Sequence, residues 1–289
     1  MKKHEKRKDT MSKVWFVTGS SRGLGRSFVE AALSRGDKVA ATARNVKSLE
    51  SLVAAFGDAV LPLELDVTDK DAVSDSVRQV VEHFGRIDVV VNNAGYAQIG
   101  AIEELTEQDL REQLETNLFG AVWVVQAVLP YLRAQGSGHI VQLSSAAGIV
   151  AMPLGGAYHA SKWALEGLNE ALAGEVAEFG VKVTVIEPAG YATRDGKNPD
   201  PLDNGHVAET VPAYDGLRQR LGQLVGKQPA GDPAAAAQAL LELVDTDNPP
   251  LRVLFGWGFY PMIEQAYADR LKTWSDWQDL STRAHATPN

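Results

Sequence analysis

The chain has 289 residues, 45% of them hydrophobic and 22% charged, enough to bury the core of one large α/β domain. It holds no cysteine, which excludes disulfides, thiolate metal sites and a cysteine nucleophile, and its six histidines show no metal-ligand spacing. A formal net charge of −9 argues against a nucleic-acid-binding surface as the main function.

The chain opens on MKKHEKRKDT, a charged run with no apolar segment behind it, and so neither a signal peptide nor a membrane anchor. A second methionine, Met11, stands just before the first strand-like run. Residues 1–12 are expected to form a disordered tail and residues 13–289 a single domain. Apolar, β-branched-rich runs then recur at 14–18, 38–42, 59–65, 87–91, 139–143, 181–186 and 251–255. Helix-like segments fill the gaps at roughly 24–35, 46–56, 69–84, 106–134, 155–179 and 233–244. Caps mark several ends: Asp69 precedes a helix that closes on Gly85, and Asp232-Pro233 opens another. This alternation predicts a Rossmann-like, doubly wound parallel sheet of about seven strands with helices on both faces. No apolar run approaches the length a membrane helix needs, and the chain is read as cytoplasmic with no membrane partner.

In such a sheet the ligand crevice lies beyond the carboxyl ends of the strands. The first strand ends in TGSSRGLGRSF, Thr18 to Phe28, where Gly19, Gly23 and Gly25 let the backbone turn tightly and approach a pyrophosphate at a helix N-terminus. Further on, YHASK sets Tyr158 and Lys162 four positions apart, on one face of a helix.

The spacing T-G-x-x-x-G-x-G resembles the short-chain dehydrogenase/reductase family, and other motifs of that family follow in order. Asp66-Val67 follows the third strand, NNAG at 92–95 the fourth, and TNLFG places Asn117 in the long helix before the fifth. LSSAAG ends the fifth strand; the family's thirteen-residue separation of Ser and Tyr selects Ser145 over Ser144. EPAGYAT resembles the family's P-G-x-x-x-T, with Pro188 and Thr193, although Ala189 stands where glycine is usual. The resemblance covers about residues 13 to 194.

It implies a hydride transfer between a nicotinamide cofactor and a carbonyl or alcohol carbon, with Tyr158 as general acid/base. A free phenol has a pKa near 10, and the neighbouring ammonium of Lys162 is expected to favour the phenolate. By the same resemblance Ser145 holds the substrate oxygen, Asn117 orients a water, Lys162 also binds the nicotinamide ribose and Thr193 binds the carboxamide. The cofactor is expected to meet Gly19, Ser21, Arg22, Gly23, Leu24, Gly25, Asp66, Val67, Asn93, Ala94, Gly95 and Pro188. An NAD enzyme needs a carboxylate at the end of the second strand. Here that position is Ala43 followed by Arg44, and Asp37 lies at the strand's other end. With Arg22 in the glycine turn, two charge-assisted contacts of about 1.5–3 kcal/mol each favour NADP(H).

Residues 195–230 are polar, proline-bearing and aperiodic, and are expected to form a lid over the substrate. The stretch 251–289 supplies a last strand and helix, whose aromatic residues are read as packing that ends the fold. The apolar run 146–157, with Tyr96, lines a pocket for a largely apolar small molecule. Outward apolar residues on the two long helices, Trp123 and Trp163, point to a homodimer or homotetramer. Two alternatives stay open: a reductase of 3-oxoacyl thioesters or acyl-carrier substrates, and a non-catalytic NADP(H)-binding sensor.

Overall fold

Four consecutive buried residues, Val14–Val17 (β1), start the fold in a computed structural model that describes residues 12–192, 205–225 and 229–285. Their side chains alternate between faces: Trp15 and Val17 join one core cluster, Val14 and Phe16 the other. Full burial of a side chain such as Phe16 stabilises the fold by about 1.5–3 kcal/mol.

Helix α1 (Gly23–Arg35) ends at Gly36, whose φ of 98° gives the left-handed stop, and leads into β2 (Lys38–Ala43). Next come α2 (Glu50–Phe56) and β3 (Val60–Glu64). The Asp69 side chain accepts from the N–H groups of Asp71 and Ala72 to start α3 (Lys70–Phe84), which Gly85 closes. After β4 (Val89–Asn92) the chain makes a short strand, β5 (Ala97–Ile99), and then α4 (Glu107–Leu114). A single π turn, Glu115–Phe119, joins α4 to α5 (Gly120–Gln135), so the long helix expected over 106–134 is continuous but interrupted in its ladder. Then follow β6 (Gly138–Leu143), α6 (Gly156–Val176), β7 (Val181–Pro188), β8 (Gly205–Val207) and α7 (Asp215–Val225). The chain continues through α8 (Pro233–Asp245), β9 (Arg252–Phe255), α9 (Tyr260–Asp276) and α10 (Gln278–Ala284).

The seven long strands form one parallel sheet in the order β3-β2-β1-β4-β6-β7-β9. Helices α1 and α8 cover the face of Trp15, and α3, α5 and α6 that of Phe16. Strand order reverses at β1, between β2 and β4, so the glycine turn that follows β1 opens onto the crevice at the switch point. A separate parallel ladder joins β5 to β8.

Two expectations need correction. Phe255 joins the core as expected, but the aromatics beyond it do not pack into the fold: Trp257 is 85% exposed and Trp274 68%, and α9 buries no residue. Gly256 and Gly258, both at positive φ, turn the chain off the sheet, and α9 leans on the body through contacts such as Arg270 Nη2 to the Ile149 carbonyl (2.9 Å). Trp123 is not a bare outward residue; it is partly buried, stacks with Phe119 and carries the Lys70 ammonium 4.3 Å from its ring centroid. The expected tail, all but Ser12, and residues 195–204 and 226–228 of the expected lid lie outside the described residues.

Candidate active site

Gly19 and Gly23 adopt φ of 69° and 60°, a region that side chains disfavour. A Cβ on Gly25 would lie 2.4 Å from both the Gly19 carbonyl oxygen and Asn93 Nδ2. The turn therefore packs against the Asn93 side chain at Gly25 and the Ala94 main chain at Gly19, and only glycine fits. Asn93 Nδ2 donates to the carbonyls of Thr18 (2.9 Å) and Gly19 (3.0 Å). Thr18 Oγ1 accepts from the N–H groups of Asn93 and Ala94, each at 3.0 Å. Thr18 is thus the hinge between the two motifs, a role the glycine spacing alone did not indicate.

Ser20 N–H donates to the Thr42 carbonyl (2.8 Å), tying the turn to the end of β2. Ala43 is buried there, and Arg44, Arg22 and Ser21 are exposed; Leu24 is half-buried against the core. Neither Arg22 nor Arg44 forms an ion pair among the described residues. Asp37 is occupied elsewhere, accepting from Trp15 Nε1 (2.8 Å) and Arg35 Nη2 (2.6 Å). Asp66 accepts from Thr68 N–H (3.0 Å) and Oγ1 (2.8 Å), and the buried Val67 rests on Gly120, where a Cβ would come within 2.6 Å. This small-residue cradle, flanked by two arginines unpaired among the described residues, fits the pyrophosphate of a dinucleotide.

Asn117 lies in the π turn, buried. Its Nδ2 donates to the Tyr96 carbonyl (2.9 Å) and Ser161 Oγ (3.1 Å), and its Oδ1 accepts from Tyr96 N–H (3.1 Å). Gly95 lets it approach: a Cβ there would stand 3.0 Å from Asn117 Oδ1. Ser161 Oγ in turn donates to the Tyr158 carbonyl (2.7 Å), so the π turn and the head of α6 are bolted together.

The Ser145 hydroxyl stands beside the Tyr158 phenol; burial pushes that phenol above its ordinary pKa and Ser145 opposes the rise. The expected lowering by Lys162 is not seen: burial governs the phenol, and Ser145 is what opposes it. The Lys162 ammonium is 5.7 Å from the Tyr158 ring centroid and donates to the Leu143 carbonyl at 2.6 Å. Burial brings Lys162 down to about 8, with the charge of Glu166 opposing. Pro188 ends β7 with its carbonyl 3.4 Å from Ser145 Oγ. Thr193 lies outside the described residues.

Around the expected pocket run 146–157 and Tyr96, the structure adds His159, His206, Glu104 and Arg218, which were not singled out from sequence. His159 is buried; its Nε2 accepts from Met152 N–H (3.0 Å) and its Nδ1 meets the Ala147 carbonyl (2.8 Å), pinning the run between Ser145 and Tyr158. In that run Leu154 holds φ of 67°, the one described non-glycine residue with positive φ. Tyr96 and His206 face each other at 4.7 Å between ring centroids, across the β5–β8 ladder. The Glu104 carboxylate pairs with Arg218 and accepts from Val211 N–H (2.7 Å). These bonds, Arg218 foremost, hold Glu104 down to about 2.

A family profile for short chain dehydrogenases matches residues 13–200. The chain is 46% identical over 250 residues to oxidoreductase BOA17 of Botryotinia fuckeliana, covering 85% of this chain and 89% of that one. It is 40% identical to a short-chain dehydrogenase from Streptomyces avermitilis, with a TM-score of 0.87 over 96% of this chain and all of the other. An alcohol dehydrogenase from the archaeon Thermococcus sibiricus, solved with 5-hydroxy-NADP, is 26% identical with a TM-score of 0.68, over 84% and 96% of the two chains. Among the described residues no helix is long and apolar enough to cross a membrane. The chain belongs to the short-chain dehydrogenase/reductase family and is an NAD(P)-dependent oxidoreductase.

Proposed function

We propose that this enzyme uses NADP(H) to interconvert a carbonyl and an alcohol on a largely apolar small molecule. The observation that carries the reading is the convergence of the Tyr158 phenol, the Ser145 hydroxyl and the buried Lys162 ammonium at the mouth of a glycine cradle. A nicotinamide cofactor whose pyrophosphate rested on Gly19, Gly23 and Gly25 would supply or accept the hydride. Ser145 holds the substrate oxygen while charge develops on it, and Tyr158 gives or takes its proton. Lys162 stabilises the phenolate that remains. Both functions of the Asn117 amide are committed to Tyr96 and Ser161.

The choice of NADP(H) rests on Ala43, Arg44 and Arg22, and the Thermococcus sibiricus neighbour's bound 5-hydroxy-NADP is consistent with it. The described part of the expected lid, residues 205–225, closes over the substrate side, joined to the body where β8 pairs with β5 and where Arg218 meets Glu104. The chain assembles as a homodimer or homotetramer through α5 and α6, where Phe119, Tyr131 and Trp163 stay exposed; a monomer in light scattering at micromolar concentration contradicts this. A panel of ketones, aldehydes and alcohols, followed by nicotinamide absorbance with each cofactor, tests the function. Turnover with NADPH and an apolar ketone is expected, and no turnover of any member contradicts the reading.

A further inference from the structure

Between α6 and the carboxyl ends of β4, β6 and β7 lies a row of buried polar atoms without hydrogen-bond partners. They are Asn92 Oδ1, Gln142 Oε1 and Nε2, Ser144 Oγ, Glu166 Oε1, Asn169 Oδ1 and Glu187 Oε1, seven of the nine such atoms among the described residues. The sheet register explains the grouping. Asn92 stands opposite Gln142, and because Leu143 pairs with Ile186, Ser144 stands opposite Glu187. All share the face on which Ile140 and Val183 meet Leu172 and Val176 of α6. Lys162, Glu166 and Asn169 follow one another along α6 at helical spacing. Gly148 backs the row: a Cβ there would sit 2.5 Å from Ser144 Oγ and 3.1 Å from Glu166 Oε1. Orphaned polar groups gathered in this way are the normal partners of internal water.

The row has an outlet. Arg252 Nε donates to Glu166 Oε2 at 3.0 Å and lies 3.9 Å from Glu187 Oε1. Arg252 Nη2 also reaches Glu170 Oε2 at 2.7 Å, and the Glu170 side chain is 64% exposed. Burial and then the charge of Glu166 raise the Glu187 carboxyl to about 7, with Arg252 opposing. Lys162 stands at about 8, so two groups that flank Glu166 both exchange protons near neutral pH.

We propose that Glu187, with Glu166, is a buried proton store that recharges Lys162 through internal water and refills from solvent at the Arg252–Glu170 pair. The proposal rests on the reading of Tyr158 and Lys162 given above. In carbonyl reduction the Tyr158 O–H bond breaks as its proton passes to the substrate oxygen, and Lys162 returns a proton to the phenolate. The protonated Glu187 carboxyl then returns one to the neutral Lys162 amine, and solvent reprotonates Glu187. Only protons move along this row, one entering from solvent for each carbonyl reduced. Glu166 and Glu187 act through Lys162 and are positioning residues.

The test compares the full-length chain with its isosteric Glu187→Gln variant, by NMR titration of isotope-labelled lysine and by the pH–rate profile of ketone reduction. Removing the charge that Glu187 carries above its midpoint lowers the proton affinity of Lys162 about tenfold. At alkaline pH kcat falls about tenfold with KM unchanged, and Glu187→Asp restores it. An unmoved Lys162 midpoint in the folded variant overturns the store, whether or not any carbonyl is reduced. A moved midpoint with an unaltered pH–rate profile overturns the recharging step. If the wild type reduces no carbonyl, the Tyr158 reading fails, and the Lys162 midpoint still decides whether Glu187 and Lys162 are coupled as the store requires.

Discussion

Around β1 and β4, the main chain at Gly19 and Gly25 meets the Asn93 side chain and the Ala94 main chain with no room for a Cβ, over a span set by neighbouring strands. Around β5 and β8 the contacts run between side chains distant in sequence: Glu104 and Arg218 lie 114 residues apart, and Tyr96 faces His206. The first region holds a ligand that brings its own shape, so residue type is dictated position by position. The second is assembled from tertiary pairs that other pairs could replace, and it faces the part of the reaction that differs between family members. Cofactor binding and substrate binding are therefore expected to respond to different mutations.

The largest separation is expected at the cation pair. The double change Ala43→Asp with Arg44→Ala exchanges an attraction for a repulsion, and the ratio of NADPH to NADH dissociation constants shifts by roughly a hundredfold or more. High salt weakens NADPH more than NADH in the wild type. Equal wild-type affinities would make both arginines spectators. Next, Gly25→Ala drives a methyl into the Gly19 carbonyl and the Asn93 amide. Calorimetry should show a loss of about 1–3 kcal/mol of stability, and titration a cofactor affinity at least about tenfold weaker. Unchanged cofactor affinity in a folded variant would break the backbone-contact description of this region.

On the other side, Arg218→Ala strands the Glu104 carboxylate, and KM for the carbonyl substrate rises by about tenfold while NADPH affinity stays put. A parallel loss of NADPH affinity would erase the distinction between the two regions. Glu104 also predicts an acid limit. Its folded pKa of about 2 lies below its ordinary 4.5, so its contribution is complete above the ordinary value and is lost as pH falls toward 2. Amide exchange at Val211, whose N–H donates to Glu104, should accelerate in that window and not near neutral pH. The smallest effect is expected at the C-terminus. Trp274→Ser removes an exposed side chain and changes thermal stability by no more than about 0.5 kcal/mol, whereas a larger loss would show that the ring is covered.

The same contrast decides what could be read from the amino-acid order. The seven long strands and the cofactor motifs were legible because burial imposes apolar runs and close approach imposes glycine. Strand β8 was not, since three residues carry no periodicity and are held only by their partner β5. Helix α7 left a trace, Leu217, Leu221 and Leu224 at helical spacing, but Gly216 and Gly222 weaken its propensity and the polar stretch before it masked its start. The apolar spacing of α9 does mark a helix. Periodicity cannot say which surface covers such a face, and among the described residues α9 leans on the body through Arg270 without burying a residue. His159 was hidden between two more conspicuous neighbours, because a histidine gives no sign in sequence that it will bond two main-chain groups.

What the whole reading stands on is the proton of Tyr158, and Tyr158→Phe isolates it, since the change removes one hydroxyl and leaves the ring, the glycine cradle and Lys162 in place. Steady-state reduction of the best ketone from the panel, measured beside NADPH affinity, should show turnover down by at least about a hundredfold with the dissociation constant near that of the wild type. Turnover within tenfold of the wild type would take the acid/base role away from Tyr158.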